Sequence, residues 1–112
     1  MRLRLKMWLE SGEKKPVMGD GLLRLLQAVE AHGSISKAAQ DLSISYKQAW
    51  SRIKRAERNL GLELVTTHSG GIDGGGAHLT PRGRDFVTHY SMFRETADRM
   101  LQDLYLQHFP GN

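Results

Sequence analysis

Apolar side chains occupy every second position from Leu3 to Leu9, and the positions between them hold charged residues or Trp8. A period of two predicts a half-buried β-strand with Trp8 on its polar face, where the indole can cover a neighbouring element or a partner. The stretch SGEKKPVMGDG follows, and its turn-forming residues together with Pro16 predict a loop.

Three helices are predicted after this loop. From about Gly21 to His32, leucines and a valine recur at three- and four-residue steps, which indicates one apolar helical face, and Gly33 suits a left-handed end. A short second helix begins at Ser34 or Ser36, either of which can cap it, and its alanines permit close approach by another helix. The stretch LSIS then predicts a tight turn.

The third helix is predicted over about residues 45–60. Ser45 and Gln48 have the Ser-x-x-Gln form of a capping box. The apolar stripe consists of Ala49, Ile53, Ala56 and Leu60. At about 100° per residue, the opposite side presents Lys47, Ser51, Lys54, Arg55 and Arg58. Tyr46 and Trp50 are expected toward the buried side, and Trp50 is interpreted as a core residue rather than a platform for stacking bases.

A glycine-rich stretch, SGGIDGGGA at 69–77, separates two segments with strand propensity, LELVTTHS and AHLT. By itself such a run suits a linker, a phosphate-binding loop or the tip of a hairpin. A phosphate loop ends in Gly-Lys and then Ser or Thr, whereas here Ala77 and His78 follow the last glycine. The flanking segments therefore favour a hairpin.

A last helix is predicted from about Pro81 to His108, with proline at a tolerated first-turn position. Its apolar residues follow alternating steps of four and three, which is a heptad pattern over nearly three repeats. The members of this heptad stripe are Phe86, Tyr90, Phe93, Ala97, Met100 and Leu104. The stripe can pack on its own domain or on the same helix of a second chain, and its length favours a dimer.

The order of these elements predicts the fold class. Two short helices joined by a tight turn and followed by a hairpin indicate a mainly α winged helix-turn-helix with a small β-sheet. We expect residues 1–112 to form one domain, with a DNA-binding core over 1–80, a wing over about 63–80, and a long dimerisation helix over 81–109.

The charge distribution indicates an anionic partner. Residues 45–60 hold five cations against Glu57 alone, so this segment accounts for a charge equal to the whole net charge of +4. The chain has no cysteine, which excludes thiolate chemistry, and no apolar run of bilayer length, so we expect a soluble, cytoplasmic protein. Of the histidines, His68 and His78 alone are expected to be neighbours, too few for a metal site, and they are interpreted as wing residues near the DNA backbone.

Two stretches also resemble a known family. GSISKAAQDLSISYKQAWSRIKRAERNLG, followed by SGGIDGGGAHLTPRG, is similar to the N-terminal DNA-binding domain of the ModE family of molybdate-responsive transcription regulators, and more distantly to LysR-type DNA-binding domains. The resemblance implies that the third helix enters the major groove and that the flanking helix dimerises. ModE regulators usually continue into oxyanion-binding domains, whereas this chain stops at Asn112, so we expect no molybdate or tungstate sensing by this chain and no other cofactor. The chain is either a stand-alone regulator or the DNA-binding part of a longer one.

The DNA-binding hypothesis assigns roles by position. Candidates for base contacts are Ser45, Tyr46, Lys47, Gln48 and Ser51. Candidates for phosphate contacts are Ser34, Ser36, Lys54, Arg55, Arg58, Gly74 and Gly75. Each has a simpler alternative, since the basic side can be an ordinary solvated helix face, and Gln48 and the two serines can serve only as caps.

Two other classes of function are alternatives to DNA binding. A winged helix can also act as a protein–protein adaptor, which the concentrated positive charge of residues 45–60 disfavours. The sequence contains no recognisable catalytic constellation, so we expect no enzyme activity.

Overall fold

The computed structural model describes residues 1–69 and 75–111. Within these residues the element order is β1 (Trp8–Glu10), β2 (Pro16–Gly19), α1 (Asp20–His32), α2 (Ile35–Asp41), α3 (Tyr46–Leu60), β3 (Val65–His68), β4 (Gly76–Leu79) and α4 (Pro81–His108). The predicted fold class is confirmed: the chain is mainly helical and contains a helix-turn-helix, a β3–β4 hairpin and a long last helix. The strands of this described part form two antiparallel two-stranded sheets rather than one.

The predicted loop after the first strand is present at residues 11–15, but the prediction was wrong for residues 16–19, which form β2. Leu9 of β1 pairs with Met18, and Trp8 pairs with Gly19. Met18 is almost fully buried, so burial stabilises this strand even though turn-forming residues precede it. Pro16 is tolerated because it stands at the first position of the strand.

The hydrophobic core lies between α1, α2, α3, the first part of α4 and the two sheets. The glycines that end α1 and α3, Gly33 and Gly61, are left-handed with φ of 67° and 72°, as their positions predicted. The largest fully buried side chains are Met18, Leu25, Leu26, Val29, Ile53 and Leu64. The core therefore fixes α3 by one face only and leaves its opposite face to solvent.

Helix α4 begins with a tight contact to the strand segment before it. The Thr80 hydroxyl accepts a hydrogen bond from the Gly83 N–H at 2.9 Å and donates one to the carbonyl oxygen of Glu63 at 2.7 Å. Gly83 is buried, and a Cβ at this position would overlap the carbonyl oxygen of Leu64. The first turn of α4 thus requires glycine for close approach rather than for backbone freedom.

Substitution of Gly83 by alanine should therefore destabilise the fold. We expect Gly83→Ala to lower the free energy of unfolding by about 1–3 kcal/mol, the usual cost of overpacking. Gly21→Ala is a matched control in the first turn of α1, because an added Cβ there meets nothing within 4 Å. Urea denaturation monitored by circular dichroism measures both, and equal stabilities of the two variants would contradict the close-approach account.

The N-terminal segment lies along α4 and is held by its side chains. Leu3, Leu5 and Met7 are half-buried while the residues between them are exposed, so the predicted alternation of burial is confirmed, but the predicted strand is not formed before Trp8. Their carbonyl oxygens accept hydrogen bonds from Gln102 at 3.2 Å, Arg94 at 3.2 Å and Tyr90 at 3.4 Å, respectively. These side-chain donors stand in place of a strand partner, which explains why the β1 ladder begins only at Trp8.

A bidentate ion pair fixes α4 against α1. The Arg94 guanidinium donates to both carboxylate oxygens of Asp20, with Nε–Oδ1 at 3.0 Å and Nη2–Oδ2 at 3.3 Å. The hydrogen bond to Asp20 raises the pKa of Arg94, and burial, followed by the Asp20 charge, raises the pKa of Tyr90. Both side chains therefore keep the protonation states in which they donate to the N-terminal segment.

Candidate nucleic-acid interface

The α2–turn–α3 unit has the geometry expected of a helix-turn-helix. Ala38 and Ala39 of α2 are buried, which allows close packing. In the turn, the Leu42 N–H donates to the carbonyl of Ala38 at 3.1 Å, the Ile44 N–H donates to that of Ala39 at 3.0 Å, and Ser43 takes a positive φ of 57°. The predicted tight turn is confirmed. It leaves the N-terminus of α3 exposed to solvent.

The predicted capping box at the start of α3 is also present. The Gln48 N–H donates to the Ser45 Oγ at 3.0 Å, and the Ser45 N–H donates to the Gln48 Oε1 at 2.9 Å. Both side chains are exposed but already engaged with backbone. Reading adenine with both polar atoms of Gln48 would require this box to open, so the geometry favours the capping role for this residue.

The basic face of α3 points to solvent. Lys47, Ser51, Arg55 and Arg58 are all exposed. Lys54 is half-buried instead, because its Nζ lies 3.2 Å from a carboxylate oxygen of Glu57. The predicted arrangement of cations along one helix face is thus realised, with Lys54 at its edge.

The expectation that Tyr46 and Trp50 face the core was wrong. Tyr46 is 53% exposed and Trp50 is 37% exposed. Their rings stack with centroids 6.5 Å apart and an interplanar angle of 13°, and the Lys54 Nζ lies 4.5 Å from the Trp50 ring centroid. A cation four residues after an aromatic residue can cover its ring and stabilise it at the surface, and that spacing was the signal available in the sequence.

Sequence reasoning missed the role of Glu57, the acidic residue of α3. Its Oε2 accepts hydrogen bonds from the backbone N–H groups of Leu64 at 2.8 Å and Val65 at 3.2 Å, and the side chain is buried. Glu57 therefore joins the end of α3 to the start of the hairpin. An available signal was its place four residues after Ile53 on the buried face, because a buried carboxylate needs partners.

Removal of this carboxylate should loosen the hairpin. We expect Glu57→Ala to lower the free energy of unfolding by about 1–3 kcal/mol, because two buried N–H groups lose their acceptor. Glu57→Gln keeps one acceptor oxygen and should lose less. Glu63→Ala is the control, since Glu63 is exposed. If urea denaturation gives Glu57→Ala the stability of Glu63→Ala, the anchoring role is wrong.

The β3–β4 hairpin is the predicted wing. Hydrogen bonds donated by its backbone N–H groups hold it against α1 and the junction of α1 and α2. The Ala77 N–H donates to the carbonyl of Gly33 at 3.0 Å, and the Leu79 N–H donates to a carboxylate oxygen of Glu30 at 2.8 Å. As predicted, His68 and His78 are neighbours, with ring centroids 5.4 Å apart. In the described part of the chain, no three His, Asp or Glu side chains are placed to hold a metal ion.

A groove of about 410 Å³ lies between the wing, the start of α2 and the start of α3. We name it the wing groove. It brings together four residues predicted to contact DNA: Ser34, Ser36, Tyr46 and Gly75. The Ser34 Oγ caps α2 by accepting a hydrogen bond from the Lys37 N–H at 3.2 Å, whereas Ser36 is exposed on the first turn. Gly74 lies outside the described residues.

The heptad stripe of α4 divides into two parts. Phe86 is half-buried and Tyr90 is buried, so the first part packs on its own domain. Further along, Phe93 is 50% exposed and Met100 is 67% exposed, and Leu104 is also exposed. Of the two alternatives left open by the sequence, packing on its own domain thus holds for the first part of the stripe, whereas the second part is mostly exposed. No helix among the described residues is long and apolar enough to span a bilayer.

Comparison with known proteins identifies this arrangement. Residues 21–84, which include the helix-turn-helix and the wing, match the family model of the bacterial regulatory helix-turn-helix proteins of the LysR family. The chain belongs to this family. The resemblance to ModE regulators is confirmed as well, as the chain is 36% identical over 91 residues to the molybdenum transport protein ModE of Azotobacter vinelandii, covering 78% of this chain and 34% of that protein.

Another relative and a solved structure are similar to this chain in sequence and in fold, respectively. The molybdenum-pterin-binding protein MopB of Rhodobacter capsulatus is 37% identical over 84 residues, which cover 75% of this chain and 31% of that protein. The chain thus spans about a third of the length of these curated relatives. The fold is similar to CbnR in the crystal structure of a CbnR DBD–DNA complex, with a TM-score of 0.64, 23% identity, and coverage of 81% of this chain and 99% of that one.

Proposed function

We propose that this chain binds double-stranded DNA sequence-specifically, as a homodimeric transcription regulator acting in the cytoplasm. The observation that carries the proposal is the solvent-facing cationic side of α3, held outward by a helix-turn-helix. Two comparisons support the proposal. A relative from Escherichia coli (strain K12) is named a DNA-binding transcriptional dual regulator, and it is 37% identical over 73 residues, which cover 65% of this chain and 28% of that protein. CbnR, whose fold is similar, is crystallised with DNA.

In this proposal the N-terminal part of α3 reads bases in the major groove. Lys47 suits guanine O6 and N7, and Tyr46 and Ser51 lie on the same exposed side of the helix. Ser45 and Gln48 remain candidates for base contacts, but only through side-chain atoms that the capping box does not engage. The stacked Trp50 adds an apolar surface beside Tyr46, suited to a thymine methyl group.

Phosphate contacts are proposed on both sides of these base contacts. Arg55 and Arg58 provide exposed cations, and Lys54 provides a third beside Trp50. Ser34, Ser36 and Gly75 in the wing groove offer hydroxyl and backbone groups to the same kind of oxygen. Residues 1–80 would then form the DNA-binding core, with the wing over about 63–80.

The exposed part of the heptad stripe is proposed as the dimer interface. Pairing of α4 over residues 81–109 with a second copy would cover Phe93, Ala97, Met100 and Leu104 and leave both α3 helices exposed. A two-fold dimer presents two recognition helices to half-sites about one helical turn, or a multiple of it, apart. The names of ModE and MopB refer to molybdenum, and the match covers about a third of each of those proteins.

Salt dependence distinguishes DNA binding from a protein–protein adaptor. Three phosphate-binding cations per protomer make about six per dimer, so duplex affinity should fall about 10³-fold between about 50 mM and 200 mM salt. Fluorescence anisotropy with a labelled duplex measures this fall. Weak binding that is insensitive to salt would reject the proposal and favour the adaptor function.

A further inference from the structure

A second groove lies on the side of α3 away from the wing. It has a volume of about 790 Å³ and is bounded by the β1–β2 hairpin, the start of α1 and the middle of α3. We name it the hairpin groove. Its cationic residues come from three separate segments: Lys6, Arg24, Arg52 and Arg55. Trp8, which is 53% exposed, lies at the β1 wall.

The cations of this groove are not neutralised by the fold. Among residues 1–69 and 75–111, none of the four forms an ion pair or a hydrogen bond through its side chain, and all four are exposed. The groove also contains Asp20, but Arg94 already binds both oxygens of that carboxylate. The hairpin groove therefore presents uncompensated positive charge to an anionic ligand.

The position of the groove relative to α3 indicates which anion it takes. Successive residues of an α-helix are rotated by about 100° around its axis. On α3 the exposed arc therefore extends from Tyr46, on the wing side, to Arg52, on the hairpin side. Lys47, Ser51 and Arg58 lie near the middle of this arc. An α-helix with its side chains is about 10–12 Å across and the major groove is about 12 Å wide, so a recognition helix has one phosphate backbone on each side.

We propose that the hairpin groove binds the phosphate backbone of the DNA strand opposite to the one at the wing groove. This inference rests on the proposed DNA-binding function and adds contacts from Lys6, Arg24 and Arg52 to it. The β1–β2 hairpin, which precedes the part of the chain that matches the LysR family, is thereby a second DNA-contacting element. Phosphate contacts of this kind strengthen binding and fix orientation without selecting a base sequence.

The double variant Lys6→Ala, Arg24→Ala tests this role. A suitable duplex is one that the unmodified chain selects from random double-stranded DNA. The double variant should bind this enriched duplex about tenfold more weakly than the unmodified chain does. The slope of log affinity against log salt should become shallower by about 3.6, since each of the two protomers loses two phosphate contacts. The enriched sequence itself should stay the same, because the lost contacts read no bases. Both side chains are exposed, so thermal unfolding should be unchanged.

A matched control separates this local effect from a loss of total charge. Arg2→Ala with Arg99→Ala removes the same two charges from residues that are exposed and outside the hairpin groove. If the Lys6, Arg24 variant has the affinity and salt slope of this control while the unmodified chain binds DNA, the hairpin-groove proposal is overturned and the DNA-binding function stands. If the unmodified chain binds no duplex, both are overturned.

Discussion

Replacement of Lys47 and Arg55 by alanine should abolish specific DNA binding without unfolding the protein. Lys47 is proposed to read a base and Arg55 to hold a phosphate, so the double variant loses one contact of each kind in both protomers. Each good base contact is worth about 1–3 kcal/mol, so the dimer should bind at least about 100-fold more weakly. An electrophoretic shift with the enriched duplex measures the loss.

The same variant should retain its fold, because both side chains are exposed and neither forms a described ion pair. Circular dichroism and thermal unfolding check this. The Arg2, Arg99 double variant is the control for charge, and it should bind nearly as well as the unmodified chain. Unchanged affinity of the Lys47, Arg55 variant would show that the basic face of α3 is an ordinary solvated surface.

Introduction of glutamate at Met100 and Leu104 should convert the proposed dimer to a monomer. Both residues are exposed on α4, and pairing would bury two carboxylates from each chain against the other. Burial of charges without partners is strongly unfavourable, and a monomer cannot hold two half-sites together. Analytical ultracentrifugation measures the mass, and affinity for the enriched duplex should fall at least about 100-fold, because the linked second site is lost.

Met92→Glu with Leu106→Glu is the control for this prediction. These two residues are also exposed and apolar, but they lie on the opposite side of α4 from the heptad stripe. The control should stay dimeric. A dimeric Met100, Leu104 variant, or a monomeric control, would show that the chain does not pair through the exposed part of the stripe.

Local sequence rules predicted much of this fold because the decisive interactions are short in range. The Ser45–Gln48 capping box, the glycines at 33 and 61 and the Thr80–Pro81 start depend on residues within four positions of one another. The helix-turn-helix and the wing follow from the order of these elements. The basic face of α3 was predictable for the same reason, since helical periodicity alone assigns its members to one side.

Apart from the exposed Tyr46–Trp50 stack, the features that sequence reasoning missed depend on contacts between segments that are separated in the sequence. Residues 16–19 become a strand because Met18 fills the core and Leu9 pairs with it. Glu57 is defined by backbone N–H groups seven and eight positions away, after the helix has ended. The hairpin groove combines residues 6, 24 and 52, which only the folded chain brings together.

Selection of bound sequences from random duplex DNA tests the central claim most directly. If the chain is a dimeric, sequence-specific DNA-binding regulator, repeated selection should enrich a palindromic consensus. Its two half-sites should be separated by about 10–10.5 base pairs or a multiple of that spacing. A single enriched site without symmetry would contradict the proposed dimer, and the absence of any enriched sequence would contradict sequence-specific DNA binding itself.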